Sequence, residues 1–488
     1  MGKLFKKFKE VYTGRDVIVA FQHMLTMIGA TILVPLTCGM NISIAIICAG
    51  IGTILFFFIS KKKVPVFLGS SFAFLGAYTS IMGSGVDATK GETISNLFET
   101  NYDLWCRNMG KLAVALWIVG ICYVIFSLII KFVGTEKIKK IFGPIVVGPV
   151  VMLIGLTLCQ SIVKSDIWAQ ITENGGTVEA WKVWTSFAVT LFTVIAINAY
   201  CKPKSIFKIM PIICGFFVGT VYALLIGYPM PKLEVKSIVI FQDIFTEKSV
   251  LGFWKNLSID GNALIQMLPI AFVSMMEHLG DISANSVVCG KDFLVDPGVH
   301  RTLLGDGVAT AFAGLLGGPS NTTYSENTAV LVMTKNYKPT TLLLAGIFAV
   351  ALGIFVPFAN LIYIIPSPVI GGASVVLFGM ISASGLRNLI DNKIDLSKTK
   401  NLLCISLTIA CGIGFSIIGG LKIGSVEISA LCIATIVAIV MNLIIPNEKE
   451  TISETVVPAD SSVDKVESAA PEAETSEGPA EKSTEKVD

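Results

Sequence analysis

Charged residues are scarce in this chain, and their scarcity excludes a soluble globular protein. Of its 488 residues only 15% are Asp, Glu, Lys or Arg, whereas soluble domains carry about 25%. Hydrophobic residues make up 53%, and long apolar stretches recur along most of the length. This composition predicts an all-α polytopic membrane protein. The net charge of +2 carries little information, and we expect no nucleic-acid partner.

Motifs for metal binding, disulfides and catalysis are also absent. The 11 cysteines are scattered, mostly inside apolar runs, without a CxxC pair, so we expect small core residues and no disulfide. The chain has no nucleophile–base pair, no HExxH and no phosphate loop. Residues 1–15 run into the first apolar stretch without a signal-peptide cleavage site. We therefore expect a protein that is not an enzyme and holds no metal or cofactor.

The apolar stretches predict about 14 transmembrane segments within residues 17–446. Two of them, near 66–82 and 319–334, are too short or too polar to cross as plain helices, and each is predicted to be a strand followed by a helix. Irregular backbone at membrane depth survives only where it lines a cavity or packs in protein. The segments lie near 17–40, 42–60, 64–82, 111–132, 141–160, 183–200, 209–229, 262–281, 301–317, 320–334, 339–360, 361–383, 401–420 and 426–446.

Basic clusters predict the orientation in the membrane. They precede the first segment and follow even-numbered ones, as at Lys61–Lys63 and Lys202–Lys208, which places these loops and both termini in the cytoplasm. The loops 83–110, 161–182 and 230–261 then lie outside. Residues 1–16 form a cytoplasmic N-terminus. Residues 447–488 contain no aromatic residue and are rich in Glu, Ser, Ala, Pro and Lys, which predicts a disordered cytoplasmic tail.

Two acids stand out because they interrupt apolar runs. Glu277 lies within the eighth segment, and Glu326 lies at the polar start of the tenth. A charge deep in a bilayer costs at least ~2.5–3.5 kcal/mol, so such residues usually face a cavity and are functional. An acid at the broken point of a helix therefore indicates a substrate site.

A weak internal repeat supports this interpretation. Gln22 precedes Ser71 by 49 residues, and Glu277 precedes Glu326 by the same spacing. Seven segments separate the two halves, an odd number, so the second half is inverted relative to the first. Paired, Gly/Pro-interrupted segments at matching positions are the best sequence indication of a transporter site.

The chemistry of these segments predicts the class of ligand. Backbone N–H groups after Ser71 and Tyr324 suit carbonyl oxygens or anions, whereas ionised carboxylates only accept hydrogen bonds. A ring with N–H donors alternating with C=O acceptors matches both, as in a pyrimidine dione or an oxidised purine. Phe72, Phe74 and Tyr324 are candidates to flank the flat ring, and Phe74 is equally consistent with plain core.

The same acids point to protons as the coupling ion. Two carboxylates close together in a low-dielectric cavity cannot both ionise easily, so one of them can carry a proton. Asp281 follows Glu277 by four residues on the same helix face, although a helix-end acid paired with Lys or Arg has the same pattern. Asp306, His23 and His278 are further titratable candidates, although such histidines are more often packed, hydrogen-bonded residues than proton carriers.

Six motifs occur in order along the chain, beginning at Gln22, Gly69, Glu277, Lys291, Asn321 and Ile365. This set of motifs resembles the nucleobase–cation symporter family of the nucleobase/ascorbate type. The resemblance is greatest to its uracil permeases and covers about residues 15–446. It implies two inverted repeats of seven helices, a core domain (about 17–135 and 262–360), a gate domain (about 141–229 and 361–446), proton-coupled uptake and a homodimer.

Carried over by position, the resemblance also implies residue roles. Glu277 and Glu326 bind the base, backbone groups at Phe72 and Ser325 complete the site, and Tyr324 and His23 lie close by. With Asp281, His23 and Glu277 are the candidates for proton coupling.

Two departures leave the substrate open. Ser325 stands where uracil permeases usually have Gly, and Asp281 stands where the best-known one has His. An acid at the latter position is common in the xanthine and urate branch, but that branch usually has Gln at the position of Glu326. Uracil is therefore favoured over xanthine or urate. An anion transporter of similar architecture is the alternative from another class, and two acids in the site argue against it.

Overall fold

The computed structural model describes residues 12–90, 92–134, 143–172, 178–202, 205–231, 237–423 and 426–446. The predicted tail, 447–488, and most of the predicted N-terminus, 1–16, lie outside the described residues.

Seven membrane segments make up the first half of the chain. The third of them is a short strand followed by a short helix, as predicted near 66–82. The segments are α1 (Gly14–Cys38), α2 (Ile42–Ile59), β1 (Leu68–Ser70) with α3 (Leu75–Met82), α5 (Tyr102–Val133), α6 (Pro144–Ile162), α8 (Ala180–Tyr200) and α10 (Pro211–Leu225). Short helices connect them: α4 (Leu97–Thr100), α7 (Ala169–Thr172) and α9 (Ile206–Ile209).

The second half repeats this order. Its third segment is again a strand followed by a helix, which confirms the prediction near 319–334. The segments are α12 (Gly261–Cys289), α13 (Val299–Leu316), β2 (Asn321–Thr323) with α14 (Ser325–Thr334), α15 (Pro339–Ile354), α17 (Ser367–Asp391), α18 (Thr399–Ile417) and α19 (Ala430–Ile444). The connections contain α11 (Ile240–Ile244), α16 (Val356–Tyr363), β3 (Leu421–Ile423) and β4 (Val426–Ile428).

The composition of these helices fits a bilayer. Within the described residues, 8 helices are long and apolar enough to cross a membrane, and α10, α15 and α19 are shorter apolar helices. Large side chains such as Phe132, Phe192 and Phe217 are exposed on the helix surfaces. Exposed apolar surface of this extent marks contact with lipid or another membrane chain.

Glycines allow the helices to pack closely. A Cβ at Gly120 of α5 would lie 2.8 Å from the carbonyl oxygen of Gly307 in α13. A Cβ at Gly385 of α17 would lie 2.5 Å from the carbonyl oxygen of Gly148 in α6. Small residues at such crossings are typical of membrane helix pairs, because close packing replaces the hydrophobic effect there.

The two broken segments meet through their strands. β1 and β2 pair antiparallel, with Leu68 opposite Thr323 and Ser70 opposite Asn321. The N–H of Ser71 donates to the carbonyl oxygen of Ser320 at 2.8 Å and extends the pairing. Pairing satisfies the backbone groups that water would otherwise have to satisfy. The antiparallel direction is that expected of an inverted repeat.

Several boundaries differ from the sequence-based expectation. Residues 102–110 were expected in an outer loop but form the start of α5. Asn101 caps this helix, and the side chains of Trp105, Cys106 and Met109 are buried in the protein interior. Residues 426–428 form β4 rather than the start of the last span. The helix of the first broken segment begins at Leu75, not directly after Ser71.

Candidate functional site

Glu277 and Glu326 come together where the broken segments cross. Glu277 lies in the middle of α12, and Glu326 lies in the first turn of α14. The two carboxylates are near enough to interact electrostatically. Both side chains are half-buried although their neighbours along the helices are largely buried. Partial exposure deep in the helix bundle means that these acids face open space within it.

Tyr324 forms a wall beside these acids. Its hydroxyl donates to the carbonyl oxygen of Ser70 at 2.6 Å, which ties it to the opposite strand. Its ring lies directly over Gly69, where a Cβ would come within 2.5 Å of Cε2. Only Gly leaves room for the ring at this point, so the β1–β2 pair holds Tyr324 in place.

Phe72 joins this wall to the other half of the molecule. Its ring is roughly parallel to that of Tyr324, with centroids 6.4 Å apart and an interplanar angle of 20°. It also makes an edge contact with Phe378 of α17, at a centroid distance of 5.7 Å. Phe74, by contrast, is fully buried against Tyr78 at 5.9 Å, so it belongs to the core and not to the site.

The helix α14 begins without a side-chain cap. Tyr324 occupies the N-cap position in an extended conformation, and its side chain accepts no hydrogen bond from the first turn. Ser325 is the first helical residue. The start of a helix carries unsatisfied N–H groups and partial positive charge. This end of α14 therefore presents backbone donors close to the carboxylate of Glu326.

Asp281 lies one helical turn beyond Glu277 and is also half-buried. It accepts a hydrogen bond of 2.8 Å from the hydroxyl of Thr323 in β2. Within the described residues its hydrogen-bond partner is thus Thr323, and not the Lys or Arg of a helix-end ion pair. The bond links the acid to the strand pair, which sequence reasoning did not foresee.

The two candidate histidines differ in their surroundings. His23 is fully buried, and its ring lies beside the side chain of Asn327. The Nδ1 atom of His278 lies 2.7 Å from Oδ2 of Asp306, with both side chains fully buried. His278 and Asp306 therefore form a separate buried pair behind Glu277.

A cavity of about 720 Å³ opens on one face of the molecule. We call it the vestibule; its lining includes Phe72, Lys111, Thr157, Asp260, Gln266 and Lys422. Lys111 and Asp260 pair at 2.9 Å. Partial burial raises the pKa of Asp260, but Lys111 and the helix-starting N–H groups hold it below its usual range overall. The Asp260 carboxylate is therefore ionised at neutral pH.

The vestibule does not reach the two acids. Along α12 most residues between it and Glu277 are buried, including Ile270, Ser274 and Met275. Beyond Glu277 the helix opens again at Gly280, where a Cβ would meet only Asn388 of α17, at 3.8 Å. The two acids therefore lie outside the lining of the vestibule.

Comparison with known proteins identifies relatives over nearly the whole chain. The model of the permease family matches residues 14–420. The uracil permease of Bacillus subtilis (strain 168) is 34% identical over 457 residues, which cover 92% of this chain and 98% of the relative. The uracil permease of Escherichia coli (strain K12) is 30% identical, with 87% of this chain and 90% of the relative covered.

Solved structures of anion transporters are similar in fold. The transmembrane domain of the cyanobacterial bicarbonate transporter BicA gives a TM-score of 0.56 at 13% identity, covering 89% of this chain and 98% of that one. Murine Slc26a9 in the inward-facing state gives 0.59 at 10% identity, covering 90% and 69%. At these identities the likeness shows the fold alone. Together the comparisons confirm a multi-pass membrane transporter that is not an enzyme.

Proposed function

This chain belongs to the permease family, and from that premise we propose that it imports uracil across the cell membrane by symport with protons. The observation that carries the proposal is the pair of half-buried acids, Glu277 and Glu326, where β1 and β2 cross. The names of the relatives support uracil as the substrate.

The proposed binding mode follows from the hydrogen-bonding pattern of the base. Uracil has two ring N–H donors and two carbonyl acceptors in one plane. Glu277 and Glu326 accept from the N–H groups, while backbone groups at Phe72 and Ser325 serve the carbonyl oxygens. Tyr324 and the Phe72 ring flank the flat ligand, where aromatic side chains contribute contact area.

The same acids argue against an anion as the substrate. Anion sites are usually formed by Arg or by bare helix N-termini, and two carboxylates would repel an anion. Xanthine and urate share the alternating donors and acceptors of uracil, so they are the alternative that experiment has to separate. Ser325, Asp281 and Asp306 are the residues that would explain a purine preference.

Proton coupling is proposed to involve Glu277, Asp281 and His23. Two carboxylates that share a low-dielectric cavity favour retention of one proton. The Asp281 carboxylate accepts a hydrogen bond from Thr323 and lies one turn along the same helix. In this proposal it exchanges the proton with Glu277. His23 lies buried on α1, the segment equivalent to α12 in the other half.

The wider assembly is proposed on the family resemblance. Residues of about 17–135 and 262–360 form the core domain that carries the site, and about 141–229 and 361–446 form the gate. The contact between Phe72 and Phe378 then lies between core and gate. Basic loops place both termini in the cytoplasm, so the vestibule faces outward, and two copies associate as a homodimer.

Competitive uptake tests the proposed function. Cells expressing the chain take up labelled uracil, with unlabelled uracil, xanthine or sulfate as competitor, with and without a protonophore. We expect uptake that uracil and the protonophore both block. Uptake of labelled xanthine without uracil uptake would move the protein to the purine branch, and protonophore-insensitive uptake would contradict proton coupling.

Replacing Asp281 with Asn is expected to separate binding from accumulation. Asn keeps the hydrogen bond from Thr323 but cannot carry a proton, so uracil binding stays measurable while uphill accumulation collapses toward equal concentrations on the two sides. Accumulation is measured in proteoliposomes at a fixed pH gradient. Asp292→Asn, at an exposed helix-starting position, is the matched control. Unchanged accumulation in Asp281→Asn would remove this residue from the coupling path.

A further inference from the structure

Gln266 is an unpartnered polar residue in the wall of the vestibule. Its side chain is 2% exposed, and it contributes to the cavity lining. Its Oε1 atom has no hydrogen-bond partner among the described residues. Buried polar atoms are nearly always satisfied, so such an atom next to open space calls for a ligand or water.

Other polar groups of the vestibule already have partners. The hydroxyl of Thr79 donates to the carbonyl oxygen of Gly76 at 3.0 Å. The hydroxyl of Thr157 donates to that of Leu153 at 2.7 Å. Lys111 and Asp260 pair with each other. Gln266 differs from these groups because its Oε1 atom can still accept a hydrogen bond from a molecule that enters the vestibule.

Gln266 lies on the same face of α12 as Glu277 but far from it along the helix axis. It precedes Glu277 by eleven residues of α12, about three turns, so the two side chains leave the helix on the same face. At 1.5 Å per residue they are separated by about 16 Å along the axis. Buried residues including Ile270 and Met275 lie between them. A molecule at Gln266 is therefore not in the site of Glu277 and Glu326.

We propose that Gln266 forms an entry subsite where the incoming base docks by its lactam edge. An amide side chain presents one acceptor and two donors. The adjacent N–H and C=O of a lactam match them in a pair of antiparallel hydrogen bonds. The vestibule, at about 720 Å³, has ample room for one planar base. This inference rests on the proposed function, and it adds a second, outer binding site to the transport path.

Transport kinetics from the two sides of the membrane test the subsite. The variants are Gln266→Leu, which removes both the donor and the acceptor, and Ile265→Ala, its 43% exposed neighbour, as the control. Labelled uracil uptake is measured in whole cells and in inside-out membrane vesicles. We expect Gln266→Leu to raise the KM from the outside by about three- to tenfold, the effect of one or two neutral hydrogen bonds. The maximum rate of import and the KM from the inside stay as in the unmodified protein. Because a carrier cannot change the equilibrium across the membrane, the maximum rate of export falls by the same factor by which the outside KM rises.

Each contrary result has one meaning. An unchanged outside KM in Gln266→Leu would overturn the subsite, and so would an equal rise in KM from both sides, because the residue would then act on the inner site. The same rise in Ile265→Ala would attribute the effect to the helix. Absence of uracil uptake by the unmodified protein would instead refute the proposed function, which makes the two failures distinguishable.

Discussion

Glu277→Gln is expected to reduce uracil binding at least about 100-fold and to abolish transport. The change is isosteric, yet it replaces an oxygen that accepts from the ligand by an amide that donates. A hydrogen bond to a charged group is worth about 1.5–3 kcal/mol, and the repulsion between the new amide donor and the ring N–H adds to the loss. Binding to purified protein is the measurement, with calorimetry as a suitable readout.

Glu247→Gln provides the control for this variant. It makes the same chemical change at an exposed residue in the loop between α11 and α12, and binding should be unchanged. Glu326→Gln should resemble Glu277→Gln, because both acids take part in the proposed contact. Normal uracil binding by Glu277→Gln would show that the site lies elsewhere.

The acids were predictable because a bilayer makes charge conspicuous. Glu277 and Glu326 interrupt apolar runs, and their equal spacing to Gln22 and Ser71 follows from the repeat. Strand-then-helix segments were predictable for a related reason, since Gly, Pro, Ser and Thr disfavour a spanning helix. The physical signal in each case is a cost that the membrane imposes on a residue type.

Contacts that depend on register and side-chain direction were not predictable. The bond between Thr323 and Asp281 exists because β2 presents Thr323 to α12, and no local pattern distinguishes it from Thr322. Phe378 lies in an ordinary apolar run and meets Phe72 only through the packing of α17. Gln266 is an ordinary amide of the eighth segment, and only the packing of the whole fold leaves its Oε1 atom without a hydrogen-bond partner among the described residues.

The start of the first broken helix illustrates the same limit. The sequence placed free N–H groups directly after Ser71, but residues 72–74 form a turn before α3 begins at Leu75. The N-cap residue there is Phe74, whose side chain makes no capping hydrogen bond. The two broken segments are therefore equivalent in order but not in detail, and the acid-bearing half supplies the better helix N-terminus.

The strand crossing is where small substitutions should have large effects, and Gly69→Ala is the sharpest test. A Cβ at this position would lie 2.5 Å from Cε2 and 2.6 Å from Cζ of Tyr324, and 2.8 Å from Oγ1 of Thr31. The Tyr324 ring cannot move aside without losing its bond to Ser70. Overpacking of this kind costs about 1–3 kcal/mol.

We expect Gly69→Ala to weaken uracil binding by about 5- to 150-fold, the equivalent of that cost at the site, and to lower the melting temperature. Gly76→Ala is the matched control on the same segment, because nothing lies within 4 Å of its added methyl group. Ala also favours the helix α3 by about 1 kcal/mol over Gly, so this variant should bind normally and melt no earlier. Equal uracil binding and equal melting temperatures of the two variants would mean that the strand crossing accommodates a methyl group at Gly69. The position of Tyr324 would then not depend on the bare backbone of β1.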